Sequence, residues 1–179
     1  MSRRGFFPAI ALIVGVALLG TAFFLVRAHA TAVTHDAPVY VHMNGANEFL
    51  ESVVAVRPGQ PVIFVNEDTG MHTIVGFNPV TGHTPAYGIN GVVQGTPGPG
   101  HPVSTYRVSF AKPGFYAYYC SVHAKLLPTF GKGVTAVKRA HADGYAAMSG
   151  VIVVTTDPAL PAGNPATSRR RILPGYFGG

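Results

Sequence analysis

Apolar residues recur at every second position in short runs bounded by Gly, Pro, Asn or Asp, the pattern of half-buried strands rather than of helices. Residues 38–43 (PVYVHM) alternate in this way and read as an edge strand, closed by the turn signal Asn44-Gly45. Residues 52–56 and 61–66 are strands on either side of the turn Arg57-Pro58-Gly59-Gln60, and residues 72–77 follow after Asp68, Thr69 and Gly70. Residues 105–110 and 115–120 flank a second turn, Ala111-Lys112-Pro113-Gly114, and residues 148–155 form the last strand. About seven short strands with this punctuation predict an all-β Greek-key sandwich.

Two stretches break the alternation. Residues 1–30 open with Arg3 and Arg4, then run uncharged from position 5 to position 26. That run can cross a hydrocarbon core of about 30 Å, and the leading arginines would keep the start in the cytoplasm and place the remainder outside. Ala28-His29-Ala30 also has the form of a cleavage site, so the segment is a transmembrane anchor or a secretory signal. The run exceeds the usual signal core of about 7–15 residues, which favours the anchor. Either reading exports the domain, to the periplasmic or extracytoplasmic face of the membrane or, after cleavage, into solution. The second break, residues 78–103, is rich in Gly, Pro, Thr and Asn. It reads as a surface loop or a hairpin excursion, too poor in apolar residues to bury a core of its own. The expected organisation is thus an anchor or signal at 1–30, a linker at 31–37, one sandwich domain at 38–156, and a flexible basic tail at 157–179.

Charge narrows the function. The chain carries a formal charge of +6. Residues 31–167 hold seven Lys or Arg and seven Asp or Glu, while Arg3, Arg4, Arg27, Arg169, Arg170 and Arg171 carry the surplus. A nearly neutral folded part lacks the electrostatic footprint of nucleic-acid binding. One cysteine permits no disulfide within the chain.

That cysteine, Cys120, stands three positions before His123 at the end of an alternating strand (YAYYCSVHA). Two other strands offer a second imidazole, His72, and a thioether, Met148. Singly, each has a plain structural reading: Cys120 as a small buried apolar residue, Met148 as core packing, and His35, His42, His83 and His101 as solvent-facing loop residues. Together, two imidazoles, a thiolate and a distant Met sulfur make the donor set of an electron-transfer copper site.

The residues that carry this chemistry also carry a family pattern. An Asn upstream of a His (Asn66 and His72), PGFYAYYC followed by x-x-H, and a Met opening the last strand as M-x-G-x-I-x-V resemble the cupredoxins of the plastocyanin and pseudoazurin type over residues 38–155. The resemblance implies one type 1 copper ion, His72, Cys120 and His123 as equatorial ligands, Met148 as the axial ligand, and Asn66 pinning the ligand loops. It also implies that His123 presents its ring edge as the electron port.

The chain departs from that pattern between His123 and Met148, where AKLLPTFGKGVTAVKRAHADGYAA replaces a handful of residues. The simplest reading is an insertion in the copper-ligand loop, with His141, an oxygen donor or no ligand as alternatives to Met148 in the axial position. Val134, Val137 and His141 fall on one face of a short helix there. Lys125, Lys132, Lys138 and Arg139 make the segment basic, a flap suited to an acidic or anionic partner.

The expected function is a membrane-tethered, non-enzymatic carrier of single electrons. Its donor would be a cytochrome or quinol-oxidising complex and its acceptor a terminal oxidase or reductase. The alternative is an open copper site serving as an enzyme or as a copper carrier or sensor. Multicopper enzymes commonly place a His next to the Cys, whereas Cys120 is flanked by Tyr119 and Ser121.

Overall fold

β-Branched and aromatic residues on every second position suit a pleated surface with one face buried. The computed structural model describes residues 37–98 and 100–165. In chain order its strands are β1 (Val39–Asn44), β2 (Glu48–Phe49), β3 (Val53–Val56), β4 (Val62–Asn66), β5 (His72–Gly76), β6 (Asn90–Val93), β7 (Ser104–Val108), β8 (Gly114–Tyr119), β9 (Ala124–Pro128), β10 (Val134–Lys138) and β11 (Ser149–Val154). One sheet runs β2-β1-β4-β7 and the other β3-β11-β8-β5-β6, with β9 and β10 as a separate hairpin. The pairs β1/β4 and β3/β11 are parallel, and the other pairs are antiparallel, so the connectivity is Greek-key-like.

Alternation decides what the sheets bury. Val39, Val41 and Met43 of β1, Val62 and Phe64 of β4, Val54 and Val56 of β3, and Ile152 and Val154 of β11 meet in one core. Tyr118 sits at its centre, with ring centroids 5.0 Å from Phe49 and 4.9 Å from Phe64, both edge-to-face. Such pairs contribute roughly 0.5–1.5 kcal/mol each beyond burial. Gly150 has a steric reason: a Cβ there would overlap the Ser52 carbonyl and the Tyr118 hydroxyl.

The structure revises several expectations. Residues 124–138 form a hairpin, not a helix, because Ala124, Leu126, Val134 and Ala136 alternate inward against Phe77 and Tyr119. Gly131 at φ +85° makes the turn. Within residues 78–103 the strand β6 pairs antiparallel with β5, in keeping with the hairpin excursion expected there. His42 is not solvent-facing: it is fully buried, its Nδ1 3.1 Å from Glu51 Oε2, and its backbone N–H donates to the same oxygen at 2.8 Å. His83 and His101 are exposed as expected. The fold also extends past the last strand, where a helical turn, α1 (Ala159–Ala162), leads to Asn164. The Asn164 side chain donates to Ala55 O at 2.6 Å and accepts from Ala55 N–H at 2.8 Å, holding the edge strand β3. The expected anchor or signal at residues 1–30, most of the linker and His35 lie outside the described residues. Among the described residues no helix is long and apolar enough to cross a membrane.

Candidate metal centre

Strand register brings the donors together. Residues 116, 118 and 120 share the core face at the end of β8, and His72 starts the inward set of β5 with Ile74. β5 and β8 pair through Val75↔Tyr119 and Gly76↔Tyr118, so the two strand ends lie side by side with His72 and Cys120 on one face. After Cys120 the chain turns at once: the N–H groups of His123 and Ala124 both donate to Cys120 O, at 3.2 and 2.8 Å. That turn swings His123 back over the sulfur.

Cys120 Sγ consequently lies 3.8 Å from His72 Nδ1 and 3.4 Å from His123 Nδ1. The three donor atoms all fall within 4.8 Å of one another, with His72 and Cys120 buried and His123 half-buried. A trigonal ion with bonds of about 2.3 Å to sulfur and about 2.0 Å to nitrogen separates S from N by about 3.7 Å. Both sulfur-to-nitrogen separations therefore fit one shared ion. Two imidazoles and a thiolate are the equatorial set of a type 1 copper centre, and His72, Cys120 and His123 form a single-ion site of that kind.

Met148 is set beside Cys120 by register. β11 pairs with β8 through Ser149↔Tyr119 and Gly150↔Tyr118. The next step sets Met148 across from Cys120, whose N–H donates to Met148 O at 2.9 Å. Directly opposed residues hold their Cβ atoms about 4.5–5.5 Å apart. Met148 is buried in the same cluster as the cysteine, whereas His141 is exposed.

The surrounding hydrogen bonds fix these groups. Thr73 N–H donates to Cys120 Sγ at 3.4 Å, and Thr73 Oγ1 accepts from Ser121 N–H at 2.7 Å. Burial of Cys120 opposes its ionisation. The His72 ring, the Thr73 and His123 backbone and the Thr73 hydroxyl outweigh that and bring its pKa down to about 6. Burial likewise opposes a charge on His72, but Asp68 and the sulfur raise its pKa to about 9.

Two partners sit one layer out. Asp68 Oδ2 lies 2.9 Å from His72 Nε2, which commits the ring to presenting Nδ1 to the site. The Asp68 carboxyl is held below its ordinary value, first by His72 and against burial. Asn66 donates through its amide to Gly70 O, Val93 O and Gln94 O at 2.8–3.1 Å, and its Oδ1 accepts from Asp68 N–H at 2.9 Å. It thereby ties the 66–72 turn to the end of β6. On the other side, Arg139 braces the turn that carries His123: its N–H donates to His123 O at 2.9 Å, and its Nε lies 3.1 Å from Ser121 O and Ala124 O. Sequence reading missed Asp68, which looked like an ordinary turn residue, and Arg139, which looked like surface charge. Its position four residues before His72 was the available signal for Asp68.

No protein-family model and no curated protein sequence matches the chain. Among solved structures it is similar to amicyanin from Paracoccus versutus, at 19% identity and a TM-score of 0.42, over 70% of this chain and 87% of that one. It is similar also to a purple cupredoxin from Nitrosopumilus maritimus, at 18% identity and a TM-score of 0.42, over 67% of this chain and 100% of that one.

Proposed function

We propose that this chain is an exported type 1 copper protein that carries single electrons between redox proteins, with Met148 as axial ligand. The convergence of His72, Cys120 and His123 carries the reading. Bound there, copper supplies a one-electron couple between Cu(I) and Cu(II). The chain supplies rigidity. Cys120 and His72 are set by paired strands, Asn66 closes the turn ahead of His72, and Arg139 clamps the turn that bears His123. Donors held this way move little when the charge of the ion changes, which keeps reorganisation small. The half-buried ring of His123 is the natural exit for the electron. The cross-strand place of Met148 supports a filled axial position, against the alternative of an open catalytic or copper-exchanging site. Tethering through residues 1–30 at the extracytoplasmic face, with a cytochrome or quinol-oxidising complex as donor and an oxidase or reductase as acceptor, completes the proposal.

The full chain, detergent-solubilised and loaded with Cu(II), should show an intense thiolate-to-copper visible band and narrow copper hyperfine splitting. Met148→Leu should keep the band and raise the potential. A weakly coloured, broadly split site in the parent chain would overturn the carrier reading.

A further inference from the structure

Charge is segregated within the folded domain. Lys125, Lys132, Lys138 and Arg139 lie between positions 124 and 142, a stretch with no Asp or Glu. The rest of residues 38–156 holds three basic and five acidic residues. The positive end is therefore the β9–β10 hairpin, which springs from the turn carrying His123 and returns to it through Arg139 N–H and His123 O.

The hairpin has two faces. The inner one packs Ala124, Leu126, Val134 and Ala136 against Phe77 and Tyr119. On the outer one, Lys125 pairs with Val137 and Leu127 with Thr135; Lys125, Leu127 and Thr135 are exposed and Val137 half-buried. At the tip Phe130 projects fully, 108% exposed, close in sequence to exposed Lys132. An aromatic anchor with aliphatic neighbours and a basic rim has the composition of a protein-docking patch.

We propose that this outer face and tip are the docking surface for an acidic redox protein, so that the partner's own centre is brought against the His123 edge. The inference rests on the electron-carrier reading. Adjacency to the electron exit favours a protein over a lipid surface, because a lipid gains nothing from lying beside the metal. The positive charge would steer encounter, an effect worth about 10–1,000-fold in on-rate and steeply salt-dependent.

The test uses the copper-loaded full chain in stopped flow with two probes, an acidic and a basic c-type cytochrome, across ionic strength. Lys125→Glu with Lys132→Glu should slow the acidic cytochrome at least about tenfold at low salt, reverse the sign of its salt dependence and speed the basic one. Phe130→Ser should slow the acidic cytochrome at high salt as well. Neither change touches a ligand, so the visible spectrum should stay at its parent form. Unchanged rates with an intact copper band overturn the docking surface alone. So does loss of binding to anionic phosphatidylglycerol vesicles with unchanged cytochrome rates, which would make the patch a lipid contact. A parent chain without a copper band overturns the carrier reading, and this inference with it.

Discussion

Asp68→Asn isolates the charge behind His72. Asparagine keeps the shape and can keep an acceptor for the ring N–H, so the ligand stays aimed while one negative charge is lost. Asp68 Oδ2 lies 2.9 Å from His72 Nε2. Adding the imidazole and a metal–nitrogen bond of about 2.0 Å puts a ring-bound ion roughly 7 Å from the carboxylate. One unit of charge at that distance is worth about 0.6 kcal/mol in a water-like medium and about 2.4 kcal/mol at an effective dielectric of 20. Oxidation adds one positive charge to the ion, so the carboxylate stabilises the oxidised state by that amount. With 59 mV per tenfold change for one electron, the substitution should raise the reduction potential by roughly 25–100 mV. The upper part of that range is the better guide, since the Asp68 side chain is 12% exposed and little screened. Spectroelectrochemical titration measures the potential, and the visible spectrum checks that the ligands are unmoved. An unchanged or lowered potential with an intact spectrum would refute the charge coupling; a lost spectrum would show Asp68 to be needed for ring placement.

Three further outcomes follow from buried polar groups. In the metal-free chain the Cys120 thiolate should form near pH 6 instead of near 8.5. The folded pKa is the depressed one, so the stability it contributes is lost as pH falls through about 6; ultraviolet thiolate absorbance reads the midpoint, and a value above 8 would refute the polar cage around the sulfur. Glu51→Ala leaves the His42 N–H and the His42 ring without their buried acceptor. At about 1–3 kcal/mol for each, a loss of about 2–6 kcal/mol is expected in chemical denaturation, and a loss under about 1 kcal/mol would contradict it. Tyr118→Phe should instead be neutral or stabilise by about 1 kcal/mol. The Tyr118 hydroxyl is buried with no hydrogen-bond partner, and burial followed by the Glu51 charge keeps it protonated. Clear destabilisation would mean that the hydroxyl is satisfied.

The donors were legible in the sequence because strand alternation places them. Cys120 ends a run whose inward residues are Tyr116 and Tyr118, and His72 begins one that continues with Ile74. The place of Met148, the proposed axial ligand, follows from the same parity, since M-x-G-x-I-x-V puts Met148, Ile152 and Val154 on the face that meets Cys120. The hairpin was misread because Val134, Val137 and His141 satisfy a helical spacing as well as Val134 and Ala136 satisfy a strand. Only the inner partners, Phe77 and Tyr119, decide between them, and Phe77 lies far away in sequence. His42 was misread for the related reason that its acceptor, Glu51, comes from a different strand connection. A lone His or Asp says nothing of what will stand opposite it.

Met148 is delivered by the pairing of β11 with β8, and not by the length of chain that leads to it from His123. With Met148 as the proposed axial ligand, the contour between those two positions, Arg139 apart, is free of coordination duty. A protein built this way can exchange one surface hairpin for another and keep its ligand set, provided that Arg139 and its hold on the His123 turn are retained. Transplanting a differently charged hairpin between the same two anchor points would redirect the traffic of electrons while the colour stayed as it was.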